Sequence, residues 1–99
     1  MKSISSHVLD GVRGSDAIGL RVSAYRLAAT GEKSKIVEVQ TDRSGRLTIE
    51  VDPCDDDSET RYEFVFHSRE YFAEHALDGL KSPIHETVIR LDLSEVETC

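Results

Sequence analysis

The chain has no tryptophan, one methionine, two prolines and two cysteines among its 99 residues, and no apolar run approaching a membrane span. A helix crossing a bilayer needs about 20 consecutive apolar residues, and the opening Met1-Lys2-Ser3-Ile4-Ser5-Ser6-His7 lacks the apolar centre of a secretory leader. The expectation is a cytoplasmic protein that stays where it is made, with no membrane partner. Cys54 and Cys99 allow one pairing, and Cys99 is the last residue, where a bridge would fasten little ordered chain. Two reduced thiols are therefore expected. The acids around Cys54 disfavour its thiolate and argue against a nucleophilic role.

Basic charge is also scarce. Twelve Lys and Arg face 19 Asp and Glu, for a formal charge of -7, and Lys33 with Lys35 is too thin a cluster to attract a phosphate backbone. Nucleic acid is excluded as a partner. His67, His75 and His85 stand eight and ten residues apart, without the paired spacing of zinc motifs. The acidic run at residues 52–57 lacks the Gly and the bidentate Glu of a calcium loop, and reads as a hydrated loop. No Ser-His-Asp arrangement is legible, and neither a metal nor a cofactor is expected.

What is present has the period of a sheet. In residues 20–27 Leu20, Val22 and Ala24 alternate with Arg21 and Ser23, the pattern of a half-buried strand. Similar segments recur at residues 4–9, 36–40, 47–51, 62–67 and 87–93, with turn residues between them. Ser44-Gly45 supplies the permissive backbone of a reversal, so the strands on either side pair or turn a corner between sheets, with Asp42 and Arg46 flanking the bend. One segment departs: residues 68–77 place Phe72, Ala76 and Leu80 at helical spacing behind a Ser68 cap, and Gly79 ends the helix. The length fits a single domain, residues 1–99. A domain this small buries about two-thirds of its unfolded surface, so self-association is a natural supplement.

Five strands, a helix and a further strand follow the order of the transthyretin family, and several runs resemble it. His7-Val8-Leu9-Asp10 is similar to the Thr-His-Val-Leu-Asp of the 5-hydroxyisourate hydrolases. Val12-Arg13-Gly14-Ser15 with Ala17-Ile18 resembles the Val-Arg-Gly-Ser-Pro-Ala-Ile of the hormone carriers. Thr41-Asp42-Arg43-Ser44-Gly45-Arg46 resembles the enzyme pattern Thr-Asp-x-Asp-Gly-Arg, with Ser44 in place of an acid. Arg61-Tyr62-Glu63-Phe64-Val65-Phe66 with Tyr71-Phe72 resembles the family's strand and helix cap, and Ser82-Pro83-Ile84-His85-Glu86 the carriers' Ser-Pro-Phe-His-Glu. The carriers' channel has a lysine and a glutamate where this chain has His7 and Arg46, both of the enzyme type.

The resemblance implies an all-β, transthyretin-like β-sandwich with one short helix, and hydrolysis of the ring amide of 5-hydroxyisourate in purine breakdown. It lacks the enzymes' His-Tyr-His-Val-Pro strand and closing Tyr-Arg-Gly-Ser, so a C-terminally shortened sandwich with one sheet left open is expected. The alternative to an enzyme is a non-catalytic binding or assembly module, and a homo-oligomer is expected in either case. The resemblance makes His7 and Arg46 the candidate catalytic residues. An imidazole, with an ordinary pKa of about 6.5, accepts a proton from water at neutral pH. A guanidinium stays charged and offers a planar fork to carbonyl or enolate oxygens. The competing structural readings are a half-exposed strand histidine, and a turn arginine paired with Asp42 in a surface contact worth at most about 1 kcal/mol. Asp10 and Asp42 are given no catalytic role.

Overall fold

Alternation along residues 20–27 sets the main sheet. A computed structural model describes residues 2–11, 13–54, 56–75 and 86–93. At its centre β4 (Arg21–Leu27) pairs with β5 (Lys33–Gln40) on one side and β7 (Arg61–Phe66) on the other, and β7 pairs with β8 (Thr87–Leu91). All three pairings are antiparallel. Because side chains alternate across a strand, Val22 and Ala24 turn inward beside Phe66 and Phe64, their register partners, and all four are buried. The edge strand β5 is exposed almost throughout and shifts register opposite Ala24 and Tyr25, an irregularity that blunts an edge against further pairing.

The second sheet has two described strands, β1 (Lys2–His7) and β6 (Arg46–Val51), also antiparallel. A two-stranded ribbon is marginal by itself. This one is held by its inner row, where Leu47, Ile49 and Val51 are buried and Ile4 packs beside Ile49. Truncating a residue as buried as Ile49 costs about 2–5 kcal/mol, more than any surface pair supplies. The ribbon covers only part of the larger sheet. Ile89 is the register partner of Phe64 on the inner row, yet remains 44% exposed.

Residues 41–45 carry the chain from one sheet to the other, so the Ser44-Gly45 bend is a corner and not a hairpin within one sheet. Thr41 is buried there: its hydroxyl donates to the Ala17 carbonyl (2.6 Å) and accepts from the Leu20 N–H (2.9 Å). Gly45 has a φ of +71°, and a Cβ on it would lie 2.5 Å from the Val8 carbonyl oxygen. The Val8 N–H donates to the Gly45 carbonyl (2.8 Å), while the Val8 carbonyl accepts from Ala17 (3.0 Å). The corner is thereby stitched to a small hairpin, β2 (Leu9–Asp10) with β3 (Ser15–Asp16), that sequence alternation does not reveal.

The helix α1 (Ser68–His75) forms where expected, but two of its details are corrected. Its buried residue is Tyr71, whereas Phe72 is half-buried. Ser68 does not cap it: the first helical bond runs from Tyr71 N–H to the His67 carbonyl, and the Ser68 hydroxyl turns toward Phe66 and Thr87. The acidic loop is not simply hydrated, since Asp56 accepts from Arg26 (2.7 Å) and from the Tyr62 hydroxyl. The expected positions of Ala76, Gly79, Leu80 and the Ser82-to-His85 run lie outside the described residues. Cys54 is disulfide-bonded, in place of the reduced thiol expected, and its partner too lies outside them. Among the described residues no helix is long and apolar enough to cross a membrane.

Replacing Gly45 by alanine combines a left-handed backbone with a clash against Val8. A loss of about 1–3 kcal/mol is expected, read as a lower urea midpoint with unchanged slope; unchanged stability would show that the corner is not so tightly packed.

Candidate functional site

His7 ends β1 and Arg46 begins β6, and the two are direct partners across the ribbon. The bond from Val8 N–H to the Gly45 carbonyl joins the residues just beyond that pair, which makes His7 and Arg46 a non-hydrogen-bonded pair of the ladder. In that arrangement Cα atoms approach to about 4.5 Å and the side chains stand close on one face. That face is the outer one, since Ser6 and Leu47 occupy the inner row. His7 and Arg46 line a shallow groove of about 310 Å³ with Ser5, Ser6, Leu47 and Thr48. The two candidate residues are therefore brought together, both exposed.

The imidazole has a partner that sequence reasoning missed. His7 Nε2 lies 2.9 Å from Asp16 Oδ1, and an ionised carboxylate can only accept. Nε2 thus carries the hydrogen. Nothing in the sequence marks Asp16: it follows a glycine-serine turn, nine residues from His7, and meets it only because β3 folds back on β2.

Arg46 is positioned through its backbone. Its N–H donates to Asp42 Oδ1 (3.0 Å), as does the N–H of Ser44 (2.8 Å), while its carbonyl accepts from Asp42 N–H (2.9 Å). These amide bonds hold the Asp42 carboxyl below its ordinary range, with smaller attractions from the charges of Arg46 and His7. The competing reading, a surface ion pair between Asp42 and Arg46, is not what forms: Asp42 Oδ1 accepts from the amides of Ser44 and Arg46. Asp10, three residues beyond His7, is buried and accepts from the Tyr71 hydroxyl (2.7 Å) and from Arg13 N–H (3.0 Å). It ties the segment after β1 to the helix. Burial, and then that hydrogen bond, raises the Tyr71 pKa.

A second polar cluster lies on the outer face of the larger sheet. Ser23 Oγ donates to Glu38 (2.9 Å) and lies 2.9 Å from His67 Nε2, and Arg21 bridges Glu38 and Glu70. The order is wrong for nucleophilic catalysis, where histidine stands between nucleophile and acid. Ser23 is moreover only 1% exposed. The cluster is structural. Among the described residues no group of three or more His, Cys, Asp or Glu side chains is placed to hold a metal.

Two antiparallel sheets with one short helix among the described residues are the architecture of the transthyretin-like β-sandwiches. The model of the HIUase/Transthyretin family matches residues 4–97, and the chain belongs to that family.

The Arg21 hydrogen bond, and then the Ser23 hydroxyl, lower the Glu38 pKa to about 2 from an ordinary 4.5. Its folded-state pKa lies below the unfolded one, so its stabilising contribution is present above about 4.5 and lost as pH falls toward about 2. The urea midpoint should drop across that window in the wild type and drop less in Glu38→Gln; equal drops would assign acid sensitivity to other carboxylates.

Proposed function

We propose that the protein hydrolyses the ring amide of 5-hydroxyisourate or a close analogue. The observation that carries this reading is the placement of His7 and Arg46 as adjacent side chains over one groove. With Nε2–H given to Asp16, the other ring nitrogen keeps its lone pair and takes a proton from water as the oxygen attacks the carbonyl carbon. The Arg46 guanidinium holds the oxygen on which negative charge develops. The C–N bond then breaks, and the imidazolium returns its proton to the leaving nitrogen.

Freshly generated 5-hydroxyisourate should lose its ultraviolet absorbance faster with protein than without it. His7→Ala should lower kcat by about 10²- to 10⁴-fold, and Arg46→Ala by about 10²- to 10³-fold. Equal rates with and without folded wild type would remove the reading.

One observation favours a second reading, a non-catalytic binding or assembly module. Because His7, Ser5 and Ser3 are the non-hydrogen-bonded residues of the β1–β6 ladder, their N–H and C=O groups face the other edge of β1, where no described strand pairs. Beside that edge opens a groove of about 340 Å³ lined in part by Leu20, Phe66 and Ile89. An edge of this kind accepts an added strand, and a homo-oligomer is its simplest consequence. Ser5→Pro removes one outward N–H without touching the β6 ladder, and should weaken self-association in sedimentation while His7→Ala and Arg46→Ala leave it unchanged. Loss of a measured turnover in His7→Ala would count against this reading.

A further inference from the structure

The geometry points to Asp16 as the positioning residue of the site: its carboxylate holds the His7 ring with Nε2 protonated, leaving Nδ1 as the basic nitrogen. The inference rests on the hydrolase reading and names a residue that the resemblance does not supply, since the similar run of the carriers has proline between Ser15 and Ala17. A proline side chain there has no acceptor to offer an imidazole. The acid is this chain's own.

Three observations converge on it. The contact between His7 Nε2 and Asp16 Oδ1 is 2.9 Å, within the range of a charge-assisted hydrogen bond. Asp16 is fixed by its backbone and not by chance rotation of a surface side chain. It is the register partner of Leu9, Ala17 beside it donates to Val8, and its Cβ would lie 3.1 Å from a Cβ on Gly45. The same stitched corner thus places Arg46, His7 and Asp16 together. The neighbouring carboxylate is held to another task, since Asp42 Oδ1 accepts from the amides of Ser44 and Arg46, and the contact to the imidazole is made by Asp16.

The chemical consequence follows from the two ring nitrogens. A neutral imidazole in water exchanges its hydrogen between them, and only a nitrogen without hydrogen accepts a proton. An acid at Nε2 selects one tautomer, restrains the ring, and stabilises the imidazolium that forms when Nδ1 is protonated. At 42% side-chain exposure Asp16 can be removed without opening the core.

The test compares wild type, Asp16→Ala and Asp16→Glu in two measurements. Nitrogen-15 chemical shifts of the neutral His7 ring should show one tautomer, Nε2–H, in wild type. In Asp16→Ala the two shifts should move toward each other as tautomers mix, and Asp16→Glu should restore the wild-type separation. In turnover of 5-hydroxyisourate, Asp16→Ala should lower kcat by about 10- to 100-fold with KM little changed, and Asp16→Glu should recover part of the loss. Ring shifts identical in wild type and Asp16→Ala overturn the proposal, as does an unchanged kcat in an active enzyme whose tautomer has changed. A wild type that holds one tautomer but turns nothing over overturns the hydrolase reading, and this role with it.

Discussion

The hydrogen bond from the Val8 N–H to the Gly45 carbonyl is the contact on which the geometry of the site depends. It fixes the register of β1 against β6 at the end where the site lies, and so decides that His7 faces Arg46 and not its neighbour. A slip of one residue would turn every side chain of β1 to the opposite face. It would send His7 into the core and expose Ile4. The bond is possible because position 45 is glycine: its left-handed backbone lets the chain approach Val8 more closely than any side chain would allow.

The ribbon divides its two faces between different tasks. Its inner row, with Ile4, Leu47, Ile49 and Val51, supplies the burial that holds the smaller sheet against the larger one. Its outer row, with Ser5, His7, Arg46 and Thr48, contributes little to that burial and is free to carry chemistry. Elsewhere polar groups reinforce the frame. Asp10 joins the segment after β1 to Tyr71 of the helix, and Asp56 joins the acidic loop to Arg26 and Tyr62. Glu63, buried on the outer face of the larger sheet, sits between Lys33 (2.6 Å) and Arg90 (3.1 Å), and those two hydrogen bonds lower its pKa against the opposing effect of burial.

The strands were legible because they are long enough for alternation to repeat. Leu20, Val22 and Ala24 are buried as their spacing demands. The β2–β3 hairpin was not legible, since two-residue strands contain no period. The helix was read correctly in place but not in phase. Eight residues give about two turns, too few for spacing alone to choose between Tyr71 and Phe72 as the buried aromatic. His7 and Arg46 are candidates through resemblance alone; their residue types by themselves fit a strand end and a turn equally well. Asp16 left no signal, because its role exists only once β3 folds back toward β1. Asp42 was placed correctly at the bend, but its carboxylate serves the amides of Ser44 and Arg46 and not the guanidinium.

On the proposed reading, the outer face of the β1–β6 ribbon, between an imidazole and a guanidinium, is where a planar, oxygen-rich heterocycle binds. The most direct test is amide and side-chain chemical-shift mapping of the labelled protein titrated with urate, a stable ring of similar oxygen pattern. The account predicts saturable shifts at His7, Arg46 and Thr48, with Val22 and Phe64 of the core undisturbed. Shifts confined to the Arg21, Glu38 and His67 face, or none at all in the folded protein, would contradict it.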